Sequence, residues 1–196
     1  MARPTRQTLL RKLAALYRRM QAAYDEAAGA LGLSCEGCAD NCCTSFFQHH
    51  TYIEWLYLWQ GMKALPEPTR QAYLERAESA VRQAQAALTK GERPAVMCPV
   101  NDDGLCGLYE HRLMICRLHG VPNELTVPGR GAQRFPGCWR AQELVDGGAR
   151  AAVLDRTALY RELAGLEMAL LGKKAKALPR VDLTLAQMLV MGPPEL

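Results

Sequence analysis

Four cysteines crowd into one short stretch, Cys35-Glu-Gly-Cys38-Ala-Asp-Asn-Cys42-Cys43, and four more, Cys98, Cys106, Cys116 and Cys138, follow in a later segment poor in helix signals. Thiolates are soft ligands: zinc takes four in a tetrahedron, and each iron of a cubane cluster takes one. Eight therefore suffice for two all-thiolate zinc sites, two clusters, or one cluster and a different site. Cys35 and Cys38 are spaced so that a tight turn carries both to one metal or cluster. Cys42 and Cys43 are the more informative pair. Side chains of adjacent residues diverge, so neighbouring thiolates favour two ions or a polynuclear unit over one mononuclear site. A single cysteine is commonly a small buried hydrophobe, but ligand-like spacing in four together argues for metal. The expectation is that both sets fold into one metal-binding core.

Disulfides are the competing use of eight cysteines. The opening Met-Ala-Arg-Pro-Thr-Arg lacks the apolar run of a signal peptide, and no later stretch reads as a bilayer span. The sequence thus predicts a cytoplasmic protein with no membrane partner, in a compartment that keeps thiols reduced. With 196 residues, 49% of them hydrophobic, the chain can bury a real core as a single domain, 1–196. Its formal charge of +4 is mild and gives no reason to expect nucleic acid.

The full pattern resembles a bacterial family of zinc- or iron-chelating cysteine-cluster proteins, the YkgJ-like or CxxCxxCC group. The residues that carry the resemblance are Cys35-x-x-Cys38-x-x-x-Cys42-Cys43, Cys98-Pro99, Gly104-Leu105-Cys106-x-Leu-Tyr109-Glu110-x-Arg112, Cys116-Arg117 and Cys138. They span roughly residues 35–140 and leave the flanking helices outside. Two departures stand out. Three residues, Ala39, Asp40 and Asn41, precede the adjacent pair where the family name implies two, and Leu113 follows Arg112 where the family usually has proline. Neither removes a ligand. Flagellin lysine methylases carry a similar cysteine pattern and are understood to hold an iron–sulfur cluster. By that resemblance the favoured group is an iron–sulfur cluster of 4Fe-4S type on Cys35, Cys38, Cys42, Cys43, Cys98, Cys106, Cys116 and Cys138, with two zinc ions as the alternative.

Other polar residues lie near these thiols. Arg112, Arg117 and Arg140 can neutralise thiolate charge from outside the ligand set, or bind a substrate anion. Tyr109 and Glu110 are candidates for the same supporting network. His119 follows Cys116 closely and reads as a hydrogen-bonding neighbour, with replacement of a thiolate as the alternative. His49 and His50 read as surface residues.

The elements that must position these groups are mainly helical: a helical bundle around a cysteine-rich core, with one short β-hairpin. Residues 5–31 read as an N-terminal helix, with Leu10, Leu13, Tyr17, Met20, Tyr24, Ala27 and Leu31 on one face and Gly29 and Gly32 ending it. Arg6, Arg11, Arg18 and Arg19 occupy the remainder, as a wet helix back or a basic surface for an acidic protein partner. The apolar stripe itself would suit an intramolecular neighbour or a homodimer seam. Thr51-Tyr-Ile-Glu54 is a capping-box pattern, and the aromatic helix that follows, with Tyr52, Trp55, Tyr57 and Trp59, is expected to end near Gly61 and to shield the core from water. A helical insertion over 66–90 opens at Pro66 and Pro68 and buries Leu74, Ala77, Val81, Ala84 and Leu88. Asn101-Asp-Asp-Gly104 predicts the hairpin that brings Cys98 towards Cys106. A short helix over Glu110–Leu118 precedes a long loop through Pro122, Pro128, Gly129, Gly131, Pro136 and Gly137. C-terminal helices fill 141–196, one over 151–171 with Leu159, Leu163, Leu166 and Leu170 buried, and one over about 182–191.

Three functions suit this reading. The first is a binding module holding a cluster or metal for structure, electron transfer or delivery. The second is a cluster-dependent enzyme, with protein methylation the option raised by the resemblance, although no Gly-rich nucleotide-binding turn follows a strand. The third is a helical adaptor stabilised by all-thiolate zinc sites. The first asks least of the sequence.

Overall fold

A computed structural model describes residues 4–36, 38, 42–150 and 152–196, so Ala39, Asp40 and Asn41, on which the spacing departs from the family pattern, lie outside the described residues. The fold is mainly α, with a two-stranded and a three-stranded sheet. It divides into two compact units: Met1–Cys42 with Met114–Gly172, and Cys43–Leu113 with Lys173–Leu196. The chain therefore leaves the first unit between Cys42 and Cys43 and returns to it at Met114.

The first unit is built on helix α1, Arg6–Leu31, whose start is capped by the Thr5 hydroxyl accepting from the Thr8 N–H. Leu9, Leu13, Leu16, Tyr17, Met20, Ala27, Ala28 and Leu31 are buried. The buried stripe thus includes Leu9 and Leu16, while Leu10 and Tyr24 are only half-buried. Gly29 stays helical. Gly32 ends the helix in the left-handed region, and the Leu33 N–H reaches back to the Ala28 carbonyl, a glycine stop that turns the chain sharply. The stripe packs on this unit's own helices: α4 (Met114–Leu118), α5 (Trp139–Asp146) and α6 (Thr157–Leu171). Arg6, Arg11, Arg18 and Arg19 face outward, with Arg19 paired to Glu162 on α6.

The expected long loop after α4 is instead a hairpin. Strand β3 (Asn123–Val127) pairs antiparallel with β4 (Gly131–Phe135), and β5 (Leu154–Asp155) joins β3 in parallel. The Pro and Gly residues that suggested a loop form the turn. Val127-Pro128-Gly129-Arg130 closes with an Arg130 N–H to Val127 carbonyl bond and a positive φ at Gly129, as a proline–glycine turn of type II requires. Asn123 is buried at the start of β3 and donates to the carbonyls of Leu118 and Val121, fastening the end of α4 to the sheet. Because β5 takes residues 154–155, α6 begins at Thr157, with Leu163, Leu166 and Leu171 buried and Leu159 and Leu170 at its margin.

In the second unit, α2 (Tyr52–Ala64) is buried on nearly every side. The Thr51 hydroxyl accepts from the Glu54 N–H and donates to its carboxylate, which gives half of the expected capping box. A complete one closes α7 (Leu185–Val190) instead, from Thr184 and Gln187. The Trp55 and Trp59 indoles both donate to the Met188 carbonyl of α7, so the aromatic helix is fixed to its neighbour. Gly61 does not end α2. An added Cβ would come within 2.5 Å of the His111 ring, so the glycine is the seat for that imidazole. Helix α3 (Glu67–Thr89) buries Tyr73, Ala77 and Ala80, a face rotated from the expected one, and leaves Leu88 exposed. The expected hairpin forms with shorter strands, β1 (Asn101–Asp102) and β2 (Leu105–Cys106). Asp103 and Gly104 both take positive φ, the twist that suits a two-residue hairpin turn. The single helix expected over Glu110–Leu118 is interrupted: a 3-10 turn at Tyr109–His111 precedes α4.

Among the described residues, no helix is long and apolar enough to cross a membrane.

His49, expected at the surface, is 4% exposed and exchanges backbone hydrogen bonds with Leu183, while His50 beside it is exposed near Asp182. Burial lowers the His49 pKa to about 4, against an opposing pull from Glu54. The neutral ring is the form the fold accepts. Its stabilising effect is complete above the ordinary histidine pKa of about 6.5 and is lost as pH falls towards 4, at up to about 1.4 kcal/mol per pH unit. Urea unfolding of the metal-free chain should therefore weaken by about 2 kcal/mol between pH 6.5 and pH 5, and His49→Gln should flatten that slope. An unchanged slope in the variant would assign the acid sensitivity elsewhere.

Candidate metal centre

In the first unit, the stop at Gly32 delivers Cys35 to the end of α1. The Cys38 N–H bonds to the Cys35 carbonyl across the expected tight turn. Arg140, in the first turn of α5, donates to the Glu36 carbonyl at 3.0 Å and pins that turn. Cys138 is the residue at which α5 begins; its side chain does not cap the helix, and its N–H donates to the Gly120 carbonyl at 3.1 Å. That approach needs two glycines. A Cβ on Gly137, already at φ +84°, would meet the Gly120 oxygen at 2.7 Å, and a Cβ on Gly120 would meet the Tyr24 hydroxyl at 2.3 Å.

Tyr24 thus has its hydroxyl against Gly120, whose carbonyl accepts from the Cys138 N–H at the start of α5. Cys35, Cys138 and Cys42 lie near enough to bear on its ionisation. Burial first, then these sulfurs, raise its pKa far above the ordinary tyrosine value, so the phenol stays protonated. The sequence pattern assigned Tyr24 to the apolar stripe; its chemical position was missed. Cys116 belongs to the same unit, on α4, where Arg117 is buried with its guanidinium 4.4 Å from the centre of the Tyr17 ring. His119 closes α4 with an N–H bond to Ile115.

The second unit carries Cys43, Cys98 and Cys106. The Cys98 N–H donates to the Cys43 carbonyl at 2.9 Å, and the Cys98 carbonyl accepts from Asn101 at 3.1 Å. Asn101 is in turn the hairpin partner of Cys106. The hairpin is clamped to α3. Arg76 donates to the Asn101 carbonyl at 2.7 Å and to the Asp102 carboxylate at 2.8 Å, and the Tyr73 hydroxyl donates to the same carboxylate. These bonds, Tyr73's first, hold Asp102 below the usual carboxylate range, while burial and Asp102 push Tyr73 up to about 12. Gly107 is required here, since a Cβ would collide with the Tyr73 hydroxyl. None of Tyr73, Arg76 and Asp102 stood out in the sequence, because an ordinary helix face and a turn gave no sign that they meet. Of the expected supporting residues, Arg112 stacks 3.7 Å over the ring of Tyr109, which is exposed, and the backbone carbonyl of Glu110 accepts from the Tyr57 hydroxyl.

The spatial grouping thus crosses the sequence order. Cys35, Cys38 and Cys42 share a unit with Cys116 and Cys138, and Cys43 shares one with Cys98 and Cys106. All eight are thiols, none joined in a disulfide. Among the described residues, no group of three or more His, Cys, Asp or Glu side chains is placed to hold a metal ion. The thiols are collected without being closed into a ligand set.

Burial pushes the Cys98 thiol up to about 12, with the Cys43 and Cys106 sulfurs adding to the rise and a backbone bond from Val100 opposing it. Only the thiolate reacts with alkylating agents. In the metal-free chain at pH 8, Cys98 should therefore alkylate at least about tenfold more slowly than the exposed Cys35, read by peptide mass spectrometry over time. Equal rates would show that the Cys98 thiol is not shut away.

No family model, curated protein or solved structure matches this chain.

Proposed function

We propose that this is a metal-binding protein whose eight cysteines hold an iron–sulfur centre, 4Fe-4S in type, for redox, cluster-dependent or structural purposes, and that it is a cytoplasmic member of the YkgJ-like cysteine-cluster family. One observation carries the reading. Cysteines far apart in the sequence are drawn together within each unit: Cys138 to Cys35 and Cys42 about Tyr24, and Cys98 and Cys106 to Cys43. Gathering thiols has an electrostatic cost once they ionise, which at Cys98 the Cys43 and Cys106 sulfurs add to the larger effect of burial, and a soft metal is the partner that offsets it. The donor chemistry fits such a metal. The last approach to ligating distance accompanies binding, as is usual where metal uptake and folding are coupled.

Cys35, Cys38, Cys42, Cys116 and Cys138 are the ligands available in the first unit, and Cys43, Cys98 and Cys106 those in the second. An iron–sulfur group supplies electron transfer or a Lewis-acidic iron when bound. Arg140 holds the Cys35–Cys38 turn, and the Arg76–Asp102–Tyr73 clamp holds the hairpin between Cys98 and Cys106. The division between Cys42 and Cys43 favours a second reading, two zinc ions, because it sends adjacent thiols to separate sets.

Protein purified without oxygen should be brown, with broad visible absorption and roughly equal iron and sulfide. A colourless sample with about two zinc per chain would replace that reading with the zinc one, and a sample with neither metal would end both.

Cys42→Ala and Cys43→Ala, made separately, should each lose metal relative to the parent chain. Full occupancy in either variant would remove that cysteine from the ligand set.

A further inference from the structure

We propose that the head of α6 is an anion site, in which the Arg156 guanidinium and free N–H groups of the helix's first turn take the phosphate group of a small ligand. The site lies within the first unit and does not depend on the cysteines. Arg156 is the residue from which α6 starts, and it is 8% exposed. Its backbone is held by the sheet: Leu154 in β5 pairs with Asn123 in β3, and the Arg156 N–H donates to the Glu124 carbonyl at 3.0 Å. The guanidinium rests on the Phe135 ring of β4, 4.3 Å from its centre. Yet no carboxylate among the described residues pairs with it. Its Nε is shut off from solvent with no hydrogen-bond partner. The carboxylates nearest in the chain are engaged elsewhere: Glu124 pairs with Arg134 at 3.3 Å, and Asp155 accepts from the Thr157 N–H at 2.8 Å.

A buried arginine without a counter-ion is costly. Guanidinium keeps its proton, so it cannot shed its charge as a buried lysine or histidine does. An unpaired charge removed from water costs more than an unmade neutral hydrogen bond. The Phe135 contact offsets only part of that, and it leaves the nitrogen-bearing edge of the fork without an acceptor. The helix end beside it lacks an anion as well. No side chain caps α6 at Arg156, and its first turn holds no acidic residue. Asp155 takes the Thr157 N–H, and the Tyr160 N–H returns to the Arg156 carbonyl. The Ala158 and Leu159 N–H groups between them have no partner among the described residues. Ala158 is exposed, so a ligand can reach this end of the helix. Two backbone donors and the arginine fork together exceed what the two oxygens of a carboxylate can use, and they suit the three of a phosphate group. The Asp155 carboxylate opposes an anion here, but it is exposed, where water and salt screen it.

The test uses the whole chain in phosphate-free buffer, with inorganic phosphate as the probe and sodium chloride at matched ionic strength as the control. Binding is read by calorimetry and by thermal unfolding. The parent should bind phosphate saturably and unfold at a higher temperature with it than with chloride. Arg156→Met keeps an unbranched apolar stem against Phe135 and removes the charge. Without phosphate this variant should unfold no lower than the parent, because no buried charge is left unpaired, and its response to phosphate should be lost. Ala158→Pro removes one backbone donor at a helix position where α3 itself carries Pro68, and it should bind phosphate about tenfold more weakly. A parent that responds to phosphate no more than to chloride would overturn the proposal. So would an Arg156→Met chain that keeps the response, or one that unfolds well below the parent, which would give the arginine to the fold alone. Unchanged affinity in Ala158→Pro would overturn the helix's part, and acetate binding as tightly as phosphate would overturn the choice of ligand. Tighter binding of glycerol phosphate than of inorganic phosphate would support an ester as the ligand, and the reverse order would support the free ion.

Discussion

The buried face of α1 is the surface on which the first unit is assembled. Leu13, Leu16 and Met20 have no exposed side chain, and burying residues of this kind contributes about 1.5–3 kcal/mol each. Helices α4, α5 and α6 take their places against that face, and with them come Cys116 on α4 and Cys138 at the head of α5. The Cys35 turn comes from α1's own C-terminal end. The cysteines of this unit are positioned by apolar packing that does not involve their own thiols. The placing of these thiols therefore follows from the packing of the helices.

The second unit reaches a similar result by different means. Its three cysteines are arranged by backbone hydrogen bonds, Cys98 on Cys43 and the hairpin partner of Cys106 on Cys98, and α3 locks the arrangement from outside through Arg76 and Tyr73. The peptide link between Cys42 and Cys43 is where one unit gives way to the other.

The helices were legible where periodicity and caps agreed. Thr5 and Gly32 bracket α1, and Thr51 begins α2 where the pattern placed it. The face of α3 was misjudged because Ala and Leu were weighted above Tyr73, whose ring is buried while its hydroxyl serves the hairpin. The β3–β4 hairpin was hidden by its own turn, since Pro128 and Gly129 punctuate a loop and a type II turn alike. Gly61 and Gly120 illustrate a general difficulty: a glycine that admits a distant aromatic ring or phenol cannot be told from one that ends an element until the third dimension is known. Tyr24 was concealed for the same reason. A tyrosine on an apolar stripe declares its ring, and only the fold shows where the oxygen goes. The cysteine pattern was legible as chemistry, but its partition was not, because Cys116 and Cys138 are separated from Cys35 by the Cys43–Leu113 stretch of the second unit.

The unequal exposure of the thiols has a consequence for damage. Cys35 and Cys42 lie at the surface, whereas Cys98 is half-buried with its proton held tightly. Peroxide attacks the accessible thiolate, passing through sulfenic acid to forms that cannot be recovered. Metal-free protein left in air would age first at Cys35 and Cys42, these surface thiols oxidised while Cys98 remained intact. The helices, held by apolar packing, would outlast the reactive thiols, and a preparation would look well folded after those thiols were gone.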